Sequence, residues 1–147
     1  MITAYIDGGA RGNPGPAGYG VHVELPDGGV EELHGALGIA TNNVAEYNGL
    51  LAALCWAVEH GHTDVRIRAD SELLVKQMRG EYKVKNPGLQ PLVARARILV
   101  GQLDRVEFEH VRREQNTDAD RLSNVGMDEA EEALRNAPPA SGQGELF

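Results

Sequence analysis

The stretch Ile2-Thr3-Ala4-Tyr5-Ile6-Asp7-Gly8-Gly9-Ala10-Arg11-Gly12-Asn13-Pro14-Gly15-Pro16-Ala17-Gly18-Tyr19-Gly20 decides the fold. A β-branched and aromatic run ends on a carboxylate and then breaks into glycine and proline, the pattern of a strand that stops at an edge. Val65-Arg66-Ile67-Arg68-Ala69 ends the same way on Asp70. Parallel strands in one sheet deliver such residues to a common edge, so Asp7 and Asp70 are expected side by side. Two further acids, Glu46 and Asp120, stand where helical patterns begin. Hard divalent cations need several oxygen ligands, and a pair of them roughly 3.5–4 Å apart activates water for phosphodiester cleavage.

Outward from these acids the chain reads as an α/β protein. Strands are expected at about 2–8, 19–25 and 30–38, with Pro26-Asp27-Gly28-Gly29 as a tight turn between the last two, giving an antiparallel meander. Val44, Tyr47, Leu51, Leu54, Cys55 and Val58 recur at helical spacing up to Gly61, a C-cap residue. A strand at 64–69, helices at 71–79 and 89–103, a strand at 105–111 and a helix from 117 follow, the later strands parallel to the first. The run from Pro138 to Gly144 has linker composition. The expected division is a folded domain over residues 1–136 and a disordered tail over 137–147.

A chain of 147 residues, 41% hydrophobic, forms one domain with a true core. Its single cysteine, Cys55, excludes an internal disulfide and fits a reducing compartment. With neither a leader pattern nor a membrane-length apolar run, a cytoplasmic monomer is expected. A net charge of −8 argues against a grip on phosphates. About half of that charge falls between Met127 and Phe147, expected to be peripheral, whereas Lys76, Arg79, Lys83 and Lys85 form a basic cluster.

The glycine-rich stretch from Asp7, then Thr41-Asn42-Asn43-Val44-Ala45-Glu46-Tyr47, Ala69-Asp70-Ser71 and Asn116-Thr117-Asp118-Ala119-Asp120-Arg121-Leu122, in that order, resemble the type 1 ribonuclease H family over Met1 to about Gly126. The short connection Val111 to Asn116 resembles the compact, archaeal-type branch. The resemblance implies a ribonuclease H-like fold, a five-stranded mixed sheet flanked by helices. It also implies a two-metal endonuclease that cuts the RNA strand of RNA–DNA hybrids and leaves 3′-hydroxyl and 5′-phosphate ends. Asp7 would bridge two Mg²⁺ ions, with Mn²⁺ as a substitute. Glu46 and Asp70 would complete one ion, and Asp120 would hold the other beside the attacking water. Gly8, Asn13, Thr41, Asn42 and Asn43 are the implied substrate contacts, and double-stranded RNA is a further implied substrate.

Two departures qualify the match. Relatives carry a histidine in a flexible loop before the last acid; that connection has none here, and Arg113 is the expected replacement, as a phosphate contact rather than a proton donor. A long basic protrusion is also missing, and Gly80-Glu81-Tyr82-Lys83-Val84-Lys85-Asn86-Pro87 stands in its place, with Lys83, Lys85 and Asn86 as candidate contacts to the DNA strand. His110 is read as part of a strand, and His22, His34, His60 and His62 show no metal-ligand spacing.

Each acid also has an ordinary alternative. Glu46 completes a capping box with Asn43, Asp120 does the same after Thr117, Asp70-Ser71 is an N-cap pair, and Asp7-Gly8 is a turn. Arg113 is a solvated arginine or a partner of Glu114. For the whole chain the alternatives are a non-catalytic hybrid-binding module and a metal-dependent exonuclease or recombinase on the same fold. The end, Gln143-Gly144-Glu145-Leu146-Phe147, resembles the Gln-x-x-Leu-Phe peptide of bacterial sliding-clamp partners, with Gln143, Leu146 and Phe147 as the binding residues.

Overall fold

The structure, a computed structural model, describes residues 1–137. The expected disordered tail, from residue 138 on, and the clamp-binding peptide of Gln143, Leu146 and Phe147 lie outside the described residues. Strands β1 (Ile2–Ala10), β2 (Gly15–Glu24) and β3 (Val30–Ala40) form the antiparallel meander, followed by α1 (Asn42–Glu59), β4 (Asp64–Ala69), α2 (Glu72–Met78), α3 (Gln90–Gly101), β5 (Arg105–His110) and α4 (Thr117–Asn136). The sheet order is β3-β2-β1-β4-β5, with β1, β4 and β5 parallel. This is the expected five-stranded mixed sheet.

Helices cover the sheet on two sides. Ile2, Ala4 and Ile6 of β1 are buried in one core with Leu50, Leu54 and Ala57 of α1, Val93 and Ala96 of α3, and Val65 and Ile67 of β4. Alternation along β1 then turns Asp7 the opposite way, toward α4, which packs on β2 and β3. The turn after β2 is as expected: Leu25 N donates to Gly29 O at 2.8 Å, and Gly28 takes φ +90°.

The glycine-rich run departs from expectation. It was expected to leave the sheet after residue 8, and β2 to begin near residue 19, but β1 continues to Ala10 and β2 starts at Gly15, paired through Gly8↔Tyr19, Gly9↔Gly18 and Ala10↔Ala17. The glycines serve close packing as well as turning. A Cβ on Gly8 would lie 2.3 Å from the carbonyl carbon of Ala45 in α1; on Gly18 it would lie 2.4 Å from that of Gly126 in α4, and on Gly20 2.5 Å from Ala119 O. Real Cβ atoms do not approach backbone so closely, so the missing side chains bring both helices against the sheet.

Two further expectations are corrected. The N-cap of α1 is Thr41, whose hydroxyl accepts from Val44 N at 3.2 Å, so Glu46 lies beyond the first turn and belongs to no capping box with Asn43. The first part of the acidic segment from Met127 is not peripheral: Met127 and Ala130 are buried, because α4 continues across the sheet to Asn136. Among the described residues no helix is long and apolar enough to cross a membrane.

Candidate active site

The parallel pairing of β1 with β4 sets Ile6 opposite Ala69, which brings the next residues, Asp7 and Asp70, to one place. Asp7 sits inside β1 rather than at its end, since the strand runs on to Ala10. Glu46 enters from the second turn of α1 and Asp120 from the first turn of α4. All four carboxylates and Arg113 line a single open cleft of about 530 Å³. β1, α1, the bend after β4 and α4 supply the four acids, so no local motif alone creates the group.

Among the described residues no lysine or arginine forms an ion pair with any of the four. Burial, reinforced by the charges of Asp70 and Asp120, raises Asp7 from 3.8 to about 7, although the Gly8 N–H pulls the other way. Burial likewise raises Glu46 from 4.5 to about 7, with Asp70 adding to it and a hydrogen bond with Ser71 opposing it. Carboxylates gathered without a basic partner either hold protons or bind a cation. Hard oxygen donors in an open cleft suit Mg²⁺ or Mn²⁺.

Two residues that hold these acids were given no role from sequence. Asn116, 1% exposed, precedes α4 and donates through Nδ2 to Ile6 O at 2.8 Å and to Asp70 Oδ2 at 3.2 Å. Ser123 lies near Asp7 Oδ2 at 3.2 Å and donates to Asp120 O at 2.8 Å. Asn116 belongs to a recognised block and was legible in principle; Ser123 carries no signal, because its partner is 116 residues away. Of the ordinary alternatives, only the Ser71 cap is present, its hydroxyl accepting from Leu74 N at 3.2 Å.

The expected substrate residues divide. Gly8 and Asn42 line the cleft. Asn13 Oδ1 accepts from Asn42 N at 3.1 Å, while Asn42 Oδ1 accepts from Ala10 N at 2.8 Å, so the glycine-rich turn is latched to the start of α1. Thr41 is engaged as the cap, and Asn43 is exposed. Lys83, Lys85 and Asn86 lie outside the cleft. Lys83 borders a separate groove with Tyr82, Val84 and Arg97, and Asn86 Oδ1 accepts from Gly88 N at 2.8 Å just before α3.

Arg113 is exposed in a short 3₁₀ turn, Arg113–Gln115, and points into the acidic cleft. Glu114 stands 4.0 Å from Arg112 instead, which removes the expected Arg113–Glu114 pair. Arg11, another cleft residue that sequence reading missed, reaches α4, where it pairs with Asp128 at 2.6 Å and with Glu131. Spacing along the chain gave no histidine ligand set; in the fold, β2, β3 and α4 bring His22, Glu32 and Asp118 together.

Comparison with known proteins agrees with this fold. A family described as reverse transcriptase-like matches residues 5–126. The bifunctional protein Rv2228c of Mycobacterium tuberculosis is 50% identical over 142 residues, 95% of this chain and 39% of that protein. Its N-terminal RNase H domain superposes with a TM-score of 0.84 at 48% identity, covering 91% of this chain and 99% of that one. Ribonuclease HI of Halobacterium salinarum is 42% identical over 130 residues, 88% of this chain and 65% of that protein. LC11-RNase H1, solved in complex with an RNA/DNA hybrid, gives a TM-score of 0.83 at 42% identity, over 88% of this chain and 99% of that one. The chain spans 39% of the length of the first mycobacterial relative. Over its described fold, the chain belongs to the reverse transcriptase-like family of ribonuclease H-fold proteins, in company with type 1 ribonucleases H.

Proposed function

We propose that the protein is a metal-dependent endonuclease that hydrolyses the RNA strand of RNA–DNA hybrids, with residues 1–136 as its catalytic domain. The single observation that carries the reading is the convergence of Asp7, Glu46, Asp70 and Asp120, from four parts of the chain, on one cleft without a basic partner. Half-buried oxygen donors, of which Asp7 and Glu46 have raised proton affinity, fit divalent cations. Asp7, which feels the charges of both Asp70 and Asp120, would with Glu46, Asp70 and Asp120 hold the ions. When bound, the ions would supply an activated water and neutralise charge at the phosphate; attack of that water on phosphorus with rupture of the P–O3′ bond would leave a 3′-hydroxyl and a 5′-phosphate.

The chain's own residues do the rest. Asn116 Nδ2 holds Asp70 Oδ2 and leaves its other oxygen for the cleft. Ser123 Oγ, bonded to Asp120 O at 2.8 Å, stands 3.2 Å from Asp7 Oδ2 and bounds its position. Arg113, unpaired among the described residues, offers a guanidinium to a phosphate at the cleft wall. The latched turn of Asn13 and Asn42 offers backbone and amide groups beside the acids, with exposed Asn43 next along the chain, as contacts to the nucleic acid. Hybrid recognition then rests on sensing 2′-hydroxyls on one strand only.

Cleavage of uniformly labelled RNA–DNA, RNA–RNA and DNA–DNA duplexes, with Mg²⁺ and Mn²⁺ compared, tests this. RNA cleavage within the hybrid is expected, abolished by chelation. Binding of the hybrid without cleavage in either metal would instead mark a non-catalytic module, and cutting of DNA would mark a different nuclease on this fold.

A further inference from the structure

The turn between β1 and β2 is tied to both helices that carry acids of the cleft. Toward α1, Asn13 Oδ1 accepts from Asn42 N, and Asn42 Oδ1 accepts from Ala10 N. Toward α4, the Arg11 guanidinium spreads over three side chains: Nη1 donates to Asp128 Oδ1 at 2.6 Å and to Glu131, and Nη2 donates to Asn124 Oδ1 at 3.2 Å. Asn124 in turn donates through Nδ2 to the main-chain oxygen of Asp120 at 2.9 Å. Asp120, Asn124, Asp128 and Glu131 recur at intervals of four, four and three residues, so they share one face of α4. Arg11, Asp120 and Asn124 all line the acidic cleft.

We propose that Arg11 is a positioning residue, which braces the glycine-rich turn against α4 and, through Asn124, sets where Asp120 stands among the other acids. The inference rests on the metal-binding reading of the cleft. Glu46 is carried by α1 and Asp120 by α4, so a rigid connection between the two helices fixes the spread of oxygen donors offered to the ions. A pair of ions roughly 3.5–4 Å apart needs that spread held closely. Asp120 O accepts from Ser123 Oγ at 2.8 Å as well as from Asn124 Nδ2, which pins the main chain from which the carboxylate projects.

Charge separates this role from a contact with substrate. Asp128 and Glu131 more than offset the single positive charge of Arg11, which leaves it little attraction for a phosphate, in contrast to Arg113. An isolated ion pair at the surface contributes little. Here one planar fork meets two carboxylates and an amide on a single helix face, a geometry that the lone nitrogen of a lysine does not reproduce. Arg11 N also donates to Pro16 O at 2.9 Å, so the residue is fixed at its main chain as well as at its side-chain tip.

The test is Mn²⁺ binding to the full chain, followed by electron paramagnetic resonance, for the parent, Arg11→Lys, Asn124→Ala and the double variant. Neither substitution changes the net charge, so a change in affinity reads geometry. Each single variant should bind Mn²⁺ about tenfold more weakly, the lower end of what hydrogen-bond partners behind metal ligands contribute. The double variant should lose no more than either alone, because both substitutions break one route. If Asn124→Ala does not fold, Arg11→Lys, at a side chain 36% exposed, decides. The salt dependence of hybrid binding, measured on Arg11→Gln with Asp7→Asn added to prevent cleavage, should keep the slope of the Asp7→Asn chain. A slope shallower by about one unit would make Arg11 a phosphate contact and overturn the proposal. Unchanged Mn²⁺ affinity in Arg11→Lys, or losses that add in the double variant, would overturn it as well. A parent chain that binds Mn²⁺ in the predicted pattern but leaves the hybrid uncut would sink the nuclease reading and leave this inference standing.

Discussion

The acidic cleft and the loop from Gly80 to Gly88 are both candidate contacts for nucleic acid, but they are built in opposite ways. In the cleft the four carboxylates are half-buried and gathered together, with Asn116, from a distant part of the chain, bonded to Asp70 and Ser123 close to Asp7. In the loop, Lys83, Lys85 and Asn86 are exposed, and the hydrogen bonds nearby are local, such as Gly88 N to Asn86 Oδ1. Packing thus concentrates like charges where they cost stability, whereas solvent keeps the lysines free and cheap. Strain of this kind belongs with chemistry, and free charge with sequence-independent attraction.

The strongest way to break the comparison is Asp7→Asn, which should reduce hybrid cleavage to background in a labelled-duplex assay while raising the metal-free stability by about 1–3 kcal/mol. Near-normal cleavage would remove the metal proposal. The pH dependence has the same origin. The folded state holds Asp7 and Glu46 protonated up to about 7, well above their ordinary 3.8 and 4.5. The native state therefore binds more protons than the unfolded state across that window, so metal-free stability falls as pH rises from about 4 to about 7. Thermal melts without metal should show this fall, and Mg²⁺ or Asp7→Asn should flatten it.

Removal of a positioning group comes next. Asn116→Ala takes away a buried donor to a main-chain carbonyl and to Asp70, so a loss of about 1–3 kcal/mol in stability is expected from denaturant melts. The metal concentration for half-maximal cleavage should rise as well; an unchanged metal requirement would confine Asn116 to a structural role. Arg113→Ala should lower turnover by roughly 10- to 100-fold with little change in Tm, the scale of one charge-assisted contact. Unchanged turnover would return Arg113 to the solvated surface. The smallest effect belongs to the loop: Lys83→Ala with Lys85→Ala should weaken hybrid binding without altering kcat, and make the salt dependence shallower by about one unit of slope per lost phosphate contact.

Much of the site was legible in the chain. Asp7 and Asp70 each followed an apolar strand run, and parallel pairing alone predicts their meeting. Glu46 and Asp120 were recognisable through their blocks, although the capping explanation for Glu46 fails because Thr41 is the cap. The glycine-rich run was readable as glycine but not as strand, since its reason is the approach of α1 and α4, which no neighbouring residue announces. Ser123, Arg11 and the group around His22 were invisible for the same cause: their partners lie in other elements.

By itself the sequence determined the order of elements, the meander, the apolar faces and the identity of the acids, because periodicity, turn chemistry and charge are local properties of a chain. Only the tertiary structure decided which groups meet. Sheet register joined Asp7 to Asp70, the bare backbone of Gly8, Gly18 and Gly20 set the depth of the helices, and α4 delivered Asp120 and Ser123 to the acidic cleft. Contacts between residues a hundred positions apart depend on packing distances of a few ångströms, and no pattern along the chain records those distances.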